Sequence, residues 1–149
     1  MSSRTALIAV LFAAVLVIAP DVRADDPVKD IIDHEVPALK DGTRIALPDV
    51  QAAILAACER RKFEASVVSP GVITARWVHG SHSFDVTIPF SDSAYSIRYK
   101  DSARMDYNPK KNRIDDAYNE YVAALSEHIE ADFERALKRL KQSQKLARQ

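Results

Sequence analysis

Between residues 63 and 100, apolar and polar residues alternate along four short stretches. The apolar positions recur at every second residue from Phe63, from Ile73, from Phe84 and from Tyr95. This period is typical of strands that bury one face and expose the other. The interruptions SPG, HGSH and SDSA have the composition of tight turns. The pattern therefore predicts a meander of four antiparallel strands.

One strand register places all of these apolar residues on the same face of the sheet. It pairs Val68 with Val72, His79 with His82, and Phe90 with Tyr95. A shift of one residue would turn the apolar side chains of a strand to the opposite face. That opposite face carries a row of alternating charge formed by Glu64, Arg76, Asp85 and Lys100. Opposite charges on neighbouring strands favour this register, and the row is either a solvated surface or a binding face.

Apolar residues three and four positions apart flank the predicted sheet on both sides. The stretch LPDVQAAILAACERRKF begins with Pro48 and Asp49, which suit the first turn of a helix. A longer apolar stripe runs from Ile114 to Leu140, with Asn112 as its expected N-cap. The order helix, four strands, helix predicts a two-layer α+β domain with both helices on one face of the sheet.

Residues 1–24 have the composition of a cleavable signal peptide. Arg4 precedes the apolar run Thr5–Ala19, and Val22 and Ala24 occupy the positions that a signal peptidase prefers. The run is shorter than the roughly 20 residues that a membrane-spanning helix needs. We therefore expect cleavage after Ala24 and export to the periplasm or beyond, with an uncleaved membrane anchor as the alternative.

The remaining chain divides into three parts by composition. Residues 25–46 contain prolines and acidic residues without clear periodicity, which predicts an irregular arm. Residues 47–140 form the predicted α+β domain, and residues 141–149 form a basic tail. This tail is either a solvated helix end or a peripheral contact with anionic lipid headgroups or an acidic partner.

Charge and cysteine content narrow the range of functions. The full chain contains 21 basic and 21 acidic residues, so it has no net charge. A nucleic-acid-binding domain normally carries a strong basic excess, and we expect no nucleic-acid partner. The only cysteine, Cys58, lies on the apolar face of the first predicted helix. We expect it to be a small buried side chain rather than a reactive thiol.

Catalytic sequence motifs are missing from the chain. It has no G-x-S-x-G, no S-x-x-K, no phosphate-binding loop and no glycine-rich dinucleotide fingerprint. The carboxylate pairs Asp115–Asp116 and Asp132–Glu134 fall on predicted helix surfaces. Adjacent side chains of a helix do not converge on one substrate, so solvation is their expected role. We therefore expect no cofactor and no enzymatic activity.

Four tyrosines and an asparagine converge where the last predicted strand meets the last helix. This tyrosine seam consists of Tyr95, Tyr99, Tyr118, Asn119 and Tyr121. A tyrosine buries its ring while its hydroxyl needs a polar partner. We interpret the seam as a clasp in which Asn119 and polar residues of the loop 101–112 hold that loop against the helix. The alternative is a ligand-binding pocket lined by the same five residues.

A histidine pair is the candidate metal site. His79 and His82 face each other across the predicted hairpin, with side chains about 5 Å apart. Two imidazoles chelate a transition metal weakly, whereas structural zinc sites use four protein ligands and catalytic sites usually three. The pair is therefore either an exposed turn or a weak metal-binding site.

The segment from Leu47 to Leu137 resembles a group of small exported proteins of Proteobacteria, many of them lipoproteins. The resemblance lies in VQAAILAACERRKF, GVITARWVHGSHSFDVTIPF, YSIRYKDSARMDY and IDDAYNEYVAALSEHI. In that group a His precedes the Tyr-Asn pair and a Trp follows it, whereas this chain has Asp115 or Asp116 and Tyr121 there. The resemblance implies the architecture and export, and it implies no chemistry.

These observations predict a non-enzymatic accessory or binding protein of the bacterial cell envelope. It would act through protein or surface contacts, for which its polar sheet face is suited. The alternative is a periplasmic binder of a small molecule or a metal, which would use the tyrosine seam or the histidine pair.

Overall fold

The computed structural model describes residues 25–149, so the predicted signal peptide lies outside the described residues. Within this range, strands and helices follow one another as β1 (Asp25–Pro27), β2 (Ile31–Glu35), α1 (Leu47–Arg60), β3 (Phe63–Ser69), β4 (Val72–His79), β5 (His82–Pro89), β6 (Ala94–Ala103), β7 (Arg113–Asp115) and α2 (Asp116–Ala147). Five strands form one sheet in the order β2-β6-β5-β4-β3, and β1 and β7 form a separate pair.

The predicted meander is confirmed. Strands β3, β4, β5 and β6 are antiparallel neighbours in chain order. His79 lies opposite His82, and Phe90 lies opposite Tyr95, as the alternation of apolar and polar residues predicted. The sheet register therefore follows from which side chains are buried, because a slip would expose the apolar set.

Two β-bulges alter the predicted register, one at the end of β3 and one within the pairing of β5 with β6. The first moves the partner of Val72 from Val68 to Ser69. The second places Asp101 rather than Lys100 opposite Asp85. A bulge adds one residue to one strand and increases the local twist. The alternation of apolar residues does not indicate where an extra residue enters a strand, so neither bulge was predicted.

Residues 25–46 are more ordered than the predicted irregular arm. Strand β2 joins the sheet beside β6, with Ile31 opposite Ile97. Strand β1 pairs with β7, with Asp26 opposite Ile114. Both strands are short and mostly exposed, so their sequences lack a clear period. Their pairing with the rest of the chain, rather than their own composition, makes them strands.

Helix α1 forms largely as predicted. Pro48 lies in its first turn, where a missing N–H costs no hydrogen bond, together with the acidic Asp49. The helix ends at Arg60, and Lys62 adopts a left-handed φ of 63° that reverses the chain. Phe63 can therefore begin β3 immediately. The buried face of the helix consists of Val50, Ala53, Ile54, Ala57 and Cys58.

Helix α2 begins later than predicted. Asp115 is its N-cap, because the Ala117 N–H donates to the Asp115 carboxylate at 3.0 Å. The predicted cap, Asn112, lies in the turn before β7 with a φ of 49°. The apolar stripe had suggested that the helix starts at Ile114, which instead belongs to the short strand β7.

Both helices cover the same face of the sheet, which confirms the two-layer α+β architecture. The ring of Tyr118 in α2 packs against Phe84, with centroids 4.9 Å apart, and Phe133 packs against Tyr95 at 5.6 Å. Ile54 of α1 belongs to the same continuous core and is fully buried. The opposite sheet face carries the charge row.

A buried carboxylate links the two helices. Asp132 was predicted to lie on a solvated helix surface, but its residue is only 7% exposed. Its two oxygens accept hydrogen bonds from Arg60 of α1 and Arg135 of α2. The prediction was wrong for Asp132 because α1 covers that side of α2, whereas its neighbour Glu134 is exposed.

Candidate functional site

Three tyrosines of the seam, Tyr95, Tyr99 and Tyr118, pack in the core or at its edge, whereas Tyr121 lines a cavity. Tyr95 and Tyr118 are 1% and 0% exposed, so neither ring faces solvent. The three buried or half-buried hydroxyls have separate partners, namely Ser126 for Tyr95 at 2.7 Å, Ser102 for Tyr99 at 2.8 Å, and Asp30 for Tyr118 at 3.3 Å. A shared ligand pocket would need these groups to converge on one cavity. Their separate partners favour the structural clasp.

The clasp holds a different segment from the one predicted. Asn119 Nδ2 donates to the carbonyl oxygen of Pro27 at 2.9 Å. Its Oδ1 accepts from the backbone N–H of Lys29, also at 2.9 Å. Asn119 therefore fastens the N-terminal arm, and not the loop 101–112, to α2. The prediction missed this because the arm had no recognisable period that would place it beside the helix.

Replacing Asn119 with alanine should destabilise the protein by about 1 kcal/mol. The substitution removes two hydrogen bonds to the arm, each worth about 0.5–1.5 kcal/mol. The better helix propensity of alanine offsets roughly 0.5 kcal/mol of that loss. Thermal unfolding should show a fall of several degrees, and amide exchange at Lys29 should accelerate. Asn108→Ala is the matched control, since the Asn108 side chain accepts hydrogen bonds within its own turn, from the N–H groups of Lys110 and Lys111. A higher melting temperature for Asn119→Ala would contradict the clasp.

Burial changes the titration of the seam and of the core thiol. Burial raises the pKa of Tyr95 and of Cys58 to about 12 each. The pKa of Tyr118 is raised further, first by burial and then by the neighbouring Asp30 carboxylate. The high pKa of Cys58 agrees with the expectation of an inert, buried side chain.

These pKa shifts predict unfolding at alkaline pH. In the unfolded chain the thiol and the phenols ionise at their ordinary values of 9.0 and 10.0. The folded state keeps them protonated, so its stability is complete below pH 9 and falls as the pH rises towards 12. The absorbance of tyrosinate at 295 nm measures ionisation, and circular dichroism measures the fold. We therefore expect the part of the absorbance that comes from Tyr95 and Tyr118 to rise at the same pH at which the circular dichroism signal is lost. Complete tyrosine ionisation near pH 10 with an intact fold would contradict their burial.

A cavity, the hairpin cleft, lies between the β4–β5 turn and the start of α2. Its volume is about 290 Å³, and it is lined by Trp77, His79, His82, Met105, Asp115, Asp116, Ala117 and Tyr121. The ring centroid of Trp77 lies 4.2 Å from that of Tyr121 and 5.9 Å from that of His79. The structure thus joins the predicted histidine pair and one tyrosine of the seam in one site.

Two carboxylates lie at the helix end of the hairpin cleft. Asp115 is 4% exposed and caps α2, while its backbone N–H donates to the Met105 carbonyl at 2.9 Å. Asp116 is half-buried beside it. The prediction of a solvated helix surface was therefore wrong for Asp115, because the residue precedes the helix and is covered by the 104–112 segment. The cleft combines acidic groups with aromatic rings.

The histidine pair remains the candidate for metal binding. His79 and His82 are directly opposed across the hairpin. Among residues 25–149, no group of three or more His, Cys, Asp or Glu side chains is placed to hold a metal ion. Two imidazoles alone would form at most a weak site.

The basic tail is part of α2. This helix continues to Ala147, and Gln144 Nε2 donates to Thr43 Oγ1 at 3.1 Å, so the predicted tail contacts the loop before α1. Leu146 is exposed among the basic residues, and contact with an anionic membrane surface stays a prediction. Within the described part of the chain, no helix has both the length and the apolar character required to cross a membrane.

The sequence indicated only some of the residues that form these sites. Trp77 was correctly predicted to lie in β4, but its place in a cleft was not predicted, although the only tryptophan of the chain is a signal that could have pointed to a binding site. Met105 and Asp115 reach the cleft through the path of the 104–112 segment, which has no periodic pattern. Asp30 accepts hydrogen bonds from both Tyr99 N–H and the Tyr118 hydroxyl, and only the folded arm brings it there.

Comparison with known proteins identifies no relative. No protein family, no curated protein and no solved structure matches this chain. The resemblance to small exported proteins of Proteobacteria therefore stays a prediction.

Proposed function

We propose that this protein is a non-enzymatic binding module of the bacterial cell envelope whose hairpin cleft receives a small organic cation. The observation that carries the proposal is the position of the Trp77 and Tyr121 rings, with centroids 4.2 Å apart, in a cavity that is also lined by Asp115 and Asp116. Aromatic rings attract cations through their negative faces, and carboxylates add direct charge attraction.

The size and composition of the cleft support binding rather than chemistry. Its volume of about 290 Å³ suits a compact ligand with a few polar groups. The lining side chains include no serine, threonine or cysteine that could serve as a nucleophile. Export through the signal peptide of residues 1–24 would place the cleft in the periplasm, where N-terminal sequencing of the mature protein should begin at Asp25.

A matched set of probes tests the ligand class. Benzylamine, benzyl alcohol and benzoate share one ring and differ in charge, and Trp77, the only tryptophan, reports binding by its fluorescence. We expect a response and a raised melting temperature with the amine. Ligand at one hundred times its dissociation constant should stabilise the fold by about 2.7 kcal/mol.

Two variants locate the response. Asp116→Asn should weaken binding of the amine by removing one charge from the cleft, whereas Glu120→Gln removes an exposed charge one helical turn away and should not. Equal responses to all three probes would contradict recognition of a cation. No response of either signal to any probe would contradict a ligand site in the cleft.

A transition metal is the second candidate ligand, favoured by the direct opposition of His79 and His82. Nickel or zinc should then raise the melting temperature of the natural protein and not of His82→Gln. A metal response that survives this substitution would assign the ion to another part of the chain.

A further inference from the structure

The sheet face that the helices leave open contains a charged groove. Its volume is about 410 Å³, and Glu64, Arg76, Asp85 and Lys100 line it together with small residues of β3 and β4. Both helices lie on the other side of the sheet, so nothing in the described chain covers this face. The four charged residues come from four successive strands.

The signs of these charges alternate across the sheet. Glu64 lies directly opposite Arg76, and Arg76 lies directly opposite Asp85. In β6 the residue directly opposite Asp85 is Asp101, and the β-bulge leaves Lys100 unpaired beside it. Lys100, and not Asp101, lines the groove. Among the residues that line the groove, the charges from β3 to β6 therefore read negative, positive, negative, positive.

The row is incompletely paired within one chain. Arg76 Nη1 is 3.5 Å from Asp85 Oδ2, and Arg76 Nη2 is 3.4 Å from Ser83 Oγ, both at the long limit for such contacts. The other oxygen, Asp85 Oδ1, is buried without a hydrogen-bond partner, which among the described side chains is true of only one further atom, Arg61 Nε. Buried polar atoms normally have partners. The Asp85 side chain as a whole is 24% exposed, so a donor from another molecule can pair with this oxygen when the carboxylate rotates towards the open face.

An even, alternating row is complementary to itself. A twofold axis that lies parallel to the strands, between β4 and β5, reverses the order of the row in the second molecule. Glu64 then faces Lys100 of the second copy, and Arg76 faces Asp85 of the second copy. All four facing pairs are attractive, and each Asp85 receives a guanidinium donor. We propose that this protein forms a symmetric dimer in which two open sheet faces pack through this charge row.

The pattern also selects the geometry of the dimer. A twofold axis along the row would place each residue opposite its own copy and so bring like charges together. Only the axis parallel to the strands avoids this repulsion. Val68 and Val78, which lie on the same face and are 57% and 51% exposed, would gain cover in the packed arrangement.

The expected dimer is weak and sensitive to salt. The interface would cover four strands spaced about 4.8 Å apart and about seven residues of about 3.3 Å along each strand, which gives an area on the order of 440 Å² per copy. This area is smaller than the roughly 800 Å² that each partner contributes to a standard protein interface. Its attraction is largely between charges, which salt screens. The purified protein should be studied by analytical ultracentrifugation at about 10–500 µM, a range that covers weak association. We expect dimers, and we expect their dissociation constant to rise at least tenfold from low to high salt.

Charge reversal provides the decisive test. Arg76→Glu and Asp85→Arg each place like charges opposite one another, so each variant alone should be monomeric. An equal mixture should restore a heterodimer, because the new glutamate of one chain faces the new arginine of the other. The double variant should dimerise as well as the natural protein, since its row is again complementary under the same axis. Circular dichroism and the melting temperature confirm that each variant is folded.

Three results would overturn the proposal. The first is a natural protein that remains monomeric at the highest concentration and low salt. The second is a single variant that dimerises as strongly as the natural protein. The third is a folded mixture of the two single variants without a heterodimer. Loss of dimerisation would leave benzylamine binding at Trp77 intact, so the two proposals fail separately.

Discussion

Replacing Tyr118 with alanine is expected to lower the free energy of unfolding by about 3–5 kcal/mol, the range for large-to-small changes of aromatic residues in a core. Tyr118 is 0% exposed, and its ring lies 4.9 Å from Phe84 and 5.7 Å from Tyr99, measured between centroids. The truncation would leave a cavity between α2 and the sheet. It would also leave Asp30 without the hydroxyl donor that ties the arm to the core.

Tyr118→Phe separates the ring from the hydroxyl. It retains the packed ring and removes only the 3.3 Å hydrogen bond to Asp30, so we expect a cost of about 1 kcal/mol. Urea unfolding measures both variants, and similar slopes with a shifted midpoint would assign the effect to the folded state. Equal costs for alanine and phenylalanine would contradict a packing role for the ring.

The parts of the fold that were predictable are those in which burial repeats with a fixed period. Strands β3 to β6 alternate because one face meets the helices, and the apolar stripe of α2 repeats because one side meets the sheet. Strand β2 has no such repetition, since most of its side chains are exposed. The position of the arm depends instead on single polar contacts such as those of Asn119, which leave no periodic signal.

The candidate site was predictable only in fragments. The sequence placed His79 and His82 opposite each other and put Tyr121 on a buried stripe, and these predictions rest on local periodicity. That the three residues share a cleft depends on how the hairpin end meets the first turn of α2. Asp115 shows why the sequence alone was not sufficient. Next to Asp116 it suggests a pair of solvated carboxylates, but in the structure it ends strand β7, where it is buried and caps α2.

Replacing Asp132 with alanine should destabilise the protein by about 2–3 kcal/mol, in the range for hydrogen bonds to charged groups. The Asp132 side chain is 9% exposed and accepts from Arg60 of α1 and Arg135 of α2, so it joins the two helices. The loss should stay below that of a fully buried ion pair, because the Arg60 side chain is 40% exposed and water can replace the carboxylate. Glu134→Ala removes an exposed carboxylate from the same turn and should change stability by less than about 0.5 kcal/mol.

Double-mutant cycles distinguish the two arginines. The Arg135 side chain is 57% exposed and lies three residues from Asp132 on the same helix, so its coupling should be about 0.3–0.5 kcal/mol. Arg60 reaches Asp132 from the other helix, and its coupling should be larger, because its loss removes a tertiary contact as well as a charge. The order of the two couplings tests whether Asp132 stabilises the packing of α1 on α2 or only α2 itself. If the coupling of Asp132 to Arg135 were larger than that to Arg60, Asp132 would stabilise mainly helix α2. The packing of α1 on α2 would then be due to the apolar faces of the two helices.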